Sequence, residues 1–321
     1  MYAVALFLTV INRMTARSIE SMSSFARAVF FILLAILLFD LQGAIIKHLG
    51  DRYPVQQLAT FRNIFGLIPS LLVLLFSREW HDNGRKLAIT QWRLALLRGL
   101  FVAGAQLCFY LSLTKMEFAT ATTLAFIGPV FVTVLSVPLL KHTVGVWRWS
   151  AVAIGAVGLL LIMRPGTEIF TLYAILPICA SFGYSLATVS VRLIDDAVPT
   201  ATINVYASGG ALLGSAVVLF ATTGYIPTES ATDWIWLVTM GTVGGCAVLS
   251  MITAYRLTKP SNLSPFEYFG IPFSFTLGWL FFNEAPFGKL FPGVIFVVAG
   301  GLLIAWRERR NRSVVTKSLV G

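Results

Sequence analysis

Long apolar runs separated by short polar connections dominate this chain. Ten of them, at 28–47, 55–76, 94–114, 119–140, 147–163, 170–190, 201–222, 234–254, 263–283 and 287–306, come close to the ~20 residues that cross ~30 Å of hydrocarbon at 1.5 Å per residue. The predicted fold is an all-α membrane protein of ten transmembrane helices, called spans 1 to 10 below. No connection is long enough to hold a soluble domain.

The second half of the pattern repeats the first. A shift of 145 residues superimposes Ala35 on Ala180, Phe39 on Tyr184, Lys47 on Arg192, Asp51 on Asp196 and Pro54 on Pro199. Further on, Leu113, Thr114 and Lys115 match Leu257, Thr258 and Lys259, and a shift of 143 pairs Pro129 with Pro272, Thr133 with Thr276 and Arg164 with Arg307. Apolar matches are cheap in a chain that is 57% hydrophobic, so the aligned prolines and charges carry the argument. The expected organisation is an N-terminal segment, 1–24, a first repeat of five helices, 25–165, a second, 166–310, and a tail, 311–321. Five is odd, so a second copy starts on the opposite side of the membrane from the first and is inverted, which is a carrier architecture.

Composition agrees with a bilayer as solvent. The mean hydropathy is +0.81 and charged residues make up 12%, against about a quarter in a soluble domain. The net charge of +10 does not form a nucleic-acid patch. With a cytoplasmic N-terminus, 17 of the 24 Lys and Arg residues fall in cytoplasmic segments and 5 in outer ones, the asymmetry expected of a membrane protein with both termini inside. Trp80, Trp92, Trp147, Trp149, Trp234, Trp236 and Trp306 lie near span ends, where the indole prefers the headgroup layer. Cys108, Cys179 and Cys246 lie within apolar spans without metal-ligand spacing and read as small buried hydrophobes. The first eleven residues are too short to span and lack a basic leader; they form an interfacial anchor or precede a start at Met14 or Met22.

With the two five-helix halves, Pro129 in span 4, Pro272 in span 9, glycine-rich spans 5 and 10, and the polar residues after the fourth helix of each half (Lys141; Asn283 with Glu284), the chain resembles the EamA-like family of the drug/metabolite transporter superfamily. Glu284 fits the glutamate common at that place, whereas Lys141 departs from it. The resemblance runs from about Phe25 to Arg309 and implies a bacterial inner-membrane carrier. It also implies a central cavity lined by helices 1, 3, 4, 6, 8 and 9, with helices 5 and 10 peripheral.

An ionised side chain within hydrocarbon is costly and marks a functional position or a permanent pair. Asp40 lies ~18 Å into span 1 and Arg62 ~11 Å from the outer end of span 2, counted at 1.5 Å per residue, so they are expected at similar depth and able to pair. Arg98 and Glu267, both nearer the cytoplasm, form a second possible pair. Each reads as a transport residue or as a structural counter-ion: a proton, cation or amine site for Asp40, a fork for carboxylate or phosphate at Arg62, and a snorkelling group for Arg98. Gln42, Asn63 and Gln106, together with Tyr110, Tyr184 and Tyr268, supply hydrogen bonds and apolar faces suited to a small organic ligand. Pro129 and Pro272 interrupt the backbone ladder at matching places and suit gating or cavity shaping. Gly210 with Gly214, and Gly241 with Gly245, have the four-residue spacing of close helix packing, and Gly300 with Gly301 could serve a homodimer.

Other classes fit less well. His48, His81 and His142 lie at or outside span ends, with neither a zinc motif nor a serine nucleophile turn, which argues against an intramembrane enzyme. Neither a phosphate-binding glycine motif nor a carbonyl-lined filter is present, against ATP-driven transport and a channel. The expectation is a secondary transporter, with no cofactor and no metal, moving a small molecule across the lipid bilayer by alternating access, as monomer or homodimer, with protons as a candidate coupling ion. Two acids set against two arginines favour an amino acid or related zwitterion; nucleosides, vitamins and drugs are the alternative cargoes.

Overall fold

The computed structural model describes residues 24–76, 89–140, 146–163, 172–195, 200–228, 230–257, 266–285, 287–300 and 302–303, with the single positions 81, 198 and 263 between them. The N-terminal segment, Lys141, Asp196 and the tail therefore lie outside the described residues. Among the described residues the chain is helical without strands. The helices are α1 (Ser24–Leu49), α2 (Val55–Leu75), α3 (Trp92–Lys115), α4 (Phe118–Ala125), α5 (Gly128–Leu140), α6 (Val146–Met163), α7 (Ile175–Ser190), α8 (Thr200–Thr222), α9 (Ala231–Leu257), α10 (Gly270–Phe282) and α11 (Phe287–Leu290), followed by a helical stretch at 293–300.

Seven helical stretches among the described residues are long and apolar enough to cross a bilayer: α1, α2, α3, α4 with α5, and those within 172–190, 202–222 and 231–254. Spans 5 and 9 are represented by shorter apolar helices, at 153–162 and Gly270–Phe282. Large apolar side chains such as Ile64, Leu71, Leu213, Val217 and Phe220 face outward, while Asp40, Gln42, Gln57, Asn63 and Gln106 are buried. Polarity thus points inward and the outer surface is hydrocarbon, as a membrane requires.

Packing follows a symmetric scheme. Helix α1 lies against α9, and its repeat partner α7 lies against α3; α2 lies against α9, and α8 against α3; α1 meets α10, and α7 meets α5. The contacts α2 with α8 and α4 with α10 map onto themselves when the halves are exchanged. Close approach relies on glycine: a Cβ on Gly99 would fall on the backbone of Ala207 and Gly210, and one on Gly245 would lie 2.6 Å from the Gly66 carbonyl. The glycines at 210 and 214, and at 241 and 245, pack α8 onto α3 and α9 onto α2 inside the protein. Cys179 is exposed rather than buried, and Cys108 and Cys246 are half-buried.

Spans 4 and 9 are both discontinuous. The first breaks at Phe126–Ile127 between α4 and α5; the second is interrupted by a turn at Tyr268–Phe269 just before α10. Pro129 and Pro272 sit in the first turn of the helix after each break, where a residue without N–H is tolerated. Proline at 129 deprives the Ala125 carbonyl, four residues back, of its helical donor. Ser181 Oγ of α7 donates to that carbonyl at 2.8 Å, and Ser185 Oγ donates to the Gly128 carbonyl at 3.1 Å.

Candidate functional site

A cavity of about 470 Å³ lies between α1, α2, α3, α7, α8 and α9. Its wall reflects the duplication. At the 145-residue shift Phe39 matches Tyr184, Gln42 matches Ala187, Gly43 matches Thr188, Arg62 matches Ala207 and Gly66 matches Ala211, and all ten residues line the cavity. The helices differ from those implied by the family resemblance: α2 and α8 line the space, whereas neither half of span 4 nor α10 does.

One polar cluster forms the upper wall. Arg62 donates from Nε to Gln42 Oε1 at 3.4 Å and from Nη1 to Asn63 Oδ1 at 3.2 Å. Asn63 and Gln106 exchange amide hydrogen bonds at 3.0 and 3.2 Å, and Asn63 Nδ2 also donates to Ser215 Oγ at 3.3 Å. Gln42 Nε2 donates to Tyr110 Oη at 3.1 Å. Gly244 makes this arrangement possible, because a Cβ there would lie 2.7 Å from Gln42 Cδ and 3.2 Å from Arg62 Nε. At the other end of the cavity Arg98 donates from Nε to the Ala187 carbonyl at 2.9 Å. Ser70 and Asn204 line the same wall and bond to each other at 3.1 Å. These two, with Phe39, Phe109, Thr188 and Ser208, escaped selection on sequence; they are uncharged, and the repeat match of Phe39 to Tyr184 was the available signal.

The two expected ion pairs do not form. Arg62 is held by neutral amides and Arg98 by a backbone carbonyl, so neither takes up Asp40 or Glu267. Among the described residues the ion pairs are Lys47–Glu284 and Arg52–Asp233, each at 2.6 Å. The physical reason is the face each side chain takes on its helix: Arg62 points into the cavity wall, where Gln42 and Asn63 meet it, and Asp40 does not line that cavity. Along α1, Ile36 lies beside α10, Gly43 borders both the cavity and α4, and Lys47 reaches the end of α10. A Cβ on Gly270 would lie 3.0 Å from Ile36 Cγ2, one on Gly43 would lie 3.0 Å from Phe118 Cε2, and Lys47 reaches Glu284. Asp40 is 7% exposed, and its Oδ2 is buried with no hydrogen-bond partner among the described residues. Its repeat match is Ser185, the residue that bonds the Gly128 carbonyl at the broken span 4. Glu267 is half-buried beside Tyr268, which packs against Phe126 at a ring separation of 6.0 Å in a separate cluster with Leu124 and Leu290. Glu267 and Tyr268 sit at the break before α10, and neither they nor Asp40 line the cavity.

One end of the bundle is tied together by polar contacts. Lys47 Nζ donates to Glu284 Oε1 at 2.6 Å and to the Met116 carbonyl at 2.9 Å, while Glu284 Oε2 accepts from the Phe118 N–H at the start of α4 at 2.8 Å. Glu284 is aimed by the end of α10. Asn283 adopts a left-handed φ of 54°, and the Asn283 and Glu284 N–H groups donate to the Trp279 and Gly278 carbonyls at 3.2 and 3.1 Å, closing a Schellman turn. At the same end Asp233 accepts from Arg52 Nη1 at 2.6 Å and from Tyr53 Oη at 2.8 Å. The Gln57 side chain is doubly bonded to the Ile226 backbone at 2.8 and 2.9 Å, pinning the α8–α9 connection to α2.

Inward polarity, a mostly apolar cavity with a few convergent hydrogen-bonding groups and paired broken helices define a multi-pass membrane transporter. The chain belongs to the EamA-like transporter family, whose model matches residues 26–164 and 171–306. Its relatives are named transporters rather than enzymes. The riboflavin transporter of Vibrio cholerae is 26% identical over 214 residues, 66% of this chain and 71% of that one. The S-adenosylmethionine uptake transporter of Rickettsia prowazekii is 21% identical over 294 residues, 92% and 97% of the two chains, and the pseudopaline exporter of Pseudomonas aeruginosa is 24% identical over 277 residues, 85% and 92%. A solved crystal structure shares the fold with a TM-score of 0.58 at 18% identity, covering 87% of this chain and 97% of its own.

Proposed function

We propose that this protein is a secondary transporter of the bacterial inner membrane, moving a small polar or amphipathic metabolite by alternating access between two inverted five-helix repeats. The observation that carries this reading is the cavity lined in matched pairs by both halves. Packing that is unchanged on exchanging the halves supports two related modules, and the odd number of spans in each makes them antiparallel. By the distribution of Lys and Arg, the end tied by polar contacts is the outer one and both termini are cytoplasmic. On this reading the Lys47–Glu284 and Arg52–Asp233 contacts hold the outer end of the bundle together, and opening outward requires them to part.

The breaks before Pro129 and Pro272 supply bending points, because short helices hinged at a turn reorient without disrupting a continuous ladder. Asp40 is the candidate proton site. Its Oδ2 is buried without a hydrogen-bond donor among the described residues, where a bare charge is costly. The charged groups nearest it along α1 and across from α2 are already engaged, Lys47 by Glu284 and Arg62 by Gln42 and Asn63. The amino-acid-like zwitterion expected from balanced charge keeps its contact to the arginines but loses the acids opposite them, since Asp40 and Glu267 do not line the cavity. Reconstituted vesicles test the proposal. A ligand that binds the purified protein should cross the membrane in its presence and saturate, whereas binding without movement would refute the carrier reading.

A further inference from the structure

The cavity carries two positive charges and no negative one among its lining residues. Asp40 and Glu267 are the only acids within the ten spans, and neither lines it, so no other carboxylate lies at that depth to neutralise Arg62 and Arg98. Both guanidinium groups keep unused donors: of five N–H groups on each, Arg62 commits two hydrogen bonds and Arg98 one, all to neutral acceptors. None of their nitrogens is a buried atom lacking a partner, so the free N–H groups are not sealed in packed protein, and both residues line the cavity.

Resting on the carrier reading above, we infer that the cargo is an organic anion, a carboxylate or phosphate ester with an aromatic or hydrocarbon body. Two half-buried guanidinium groups in one cavity without counter-ions repel each other, a cost that an anion relieves and a cation raises. Amide and carbonyl partners orient each fork without quenching its charge, which leaves the bidentate face available for a carboxylate or phosphate. Phe39, Phe109, Tyr110 and Tyr184 supply the apolar wall for the body of the molecule. The charges sit at two levels. Arg98 and Gln106, which reaches Arg62 through Asn63, are eight residues apart on α3, roughly 12 Å at 1.5 Å per residue. That separation fits an anion with charged groups at both ends, or a monoanion passed from one fork to the next.

The test is a charge series on a constant aromatic body, applied to the purified full chain: phenylpropionate and phenyl phosphate as anions, phenylpropionamide as the neutral isostere, phenylalanine as the zwitterion and phenethylamine as the cation. The anions should raise the unfolding temperature most, the zwitterion less, and the amide and cation not at all, because a ligand stabilises only by binding the folded state. Arg62→Gln and Arg98→Gln should each weaken anion binding about tenfold, the loss of roughly 1.4 kcal/mol of charged hydrogen bonding. Stabilisation by phenethylamine or phenylalanine equal to that by phenylpropionate overturns the inference, as does the absence of any anion response or an anion response indifferent to both substitutions. If a variant does not fold, the series on the intact chain decides alone. Phenylpropionate that binds but does not cross vesicles refutes the carrier reading while leaving the anion reading in place.

Discussion

Gly244 and Asp40 show how much one position controls in a bundle whose interior is mostly apolar. A methyl group at Gly244 would land on the Gln42 amide that steadies Arg62. Gly244→Ala should therefore cost about 1–3 kcal/mol of overpacking and weaken ligand binding. Thermal unfolding with and without ligand separates the two effects; unchanged ligand stabilisation would show that Gln42 does not position Arg62. Asp40→Asn keeps the shape and removes the proton site. Flux through reconstituted vesicles should then stop responding to an imposed pH gradient, with the yield of folded protein retained. Equal loss of flux and of folded protein would instead make Asp40 a structural residue.

At the scale of the helix, two devices recur: the break before a proline and the polar tie where helices end. Ser181 replaces the hydrogen bond that Pro129 denies to the Ala125 carbonyl. Ser181→Ala leaves that carbonyl without its donor and should lower stability by about 1–3 kcal/mol, read as a fall in unfolding temperature; no change would mean that the break needs no external donor. Glu284 ties the end of α10 to α1 and α4 through one carboxylate. Glu284→Gln removes the charge that Lys47 needs and should shift the equilibrium toward outward opening by about tenfold, a charged hydrogen bond being worth roughly 1.5–3 kcal/mol. The measurement is labelling by an impermeant thiol reagent of an Ile46→Cys protein, with the three native cysteines replaced by serine. Slower or equal labelling than with Glu284 intact would exclude a latch. In the repeat register Lys141 matches Glu284 and Arg192 matches Lys47, so the sequence has two basic residues where the first pair has opposite charges.

For the whole molecule, the halves share a scaffold but divide the chemistry. The first supplies both charges, Arg62 and Arg98, with Gln42, Gln106 and Tyr110; the second supplies only neutral groups, the small Ala187, Ala207, Ala211 and Gly245 with Tyr184, Thr188, Asn204 and Ser208. A duplicated bundle thus yields two-fold packing around an asymmetric, positively charged site, which suits a carrier that must open to both sides yet recognise one kind of cargo. Orientation is checked by reporters: tags at either end should be cytoplasmic, and a periplasmic signal from a C-terminal fusion would contradict an even number of crossings.

Depth in the membrane is countable, because each helical residue advances ~1.5 Å, and so the apolar runs, the matched prolines and the few ionisable groups within spans were legible from the chain alone. Azimuth is not. A helix that is apolar on every side carries no stripe to reveal which face meets which neighbour, so Asp40 and Arg62 could be set at one level but not seen to point to different partners. Only tertiary packing turned Arg62 toward Gln42 and Asn63, brought Lys47 to Glu284 across 237 residues of sequence, and placed two guanidinium groups in one cavity with neither expected acid lining it. The chain's own pattern determined a duplicated membrane bundle with costly charges inside it. Helix rotation, set by glycine contacts and chain breaks far apart in sequence, decided which of those charges became a site.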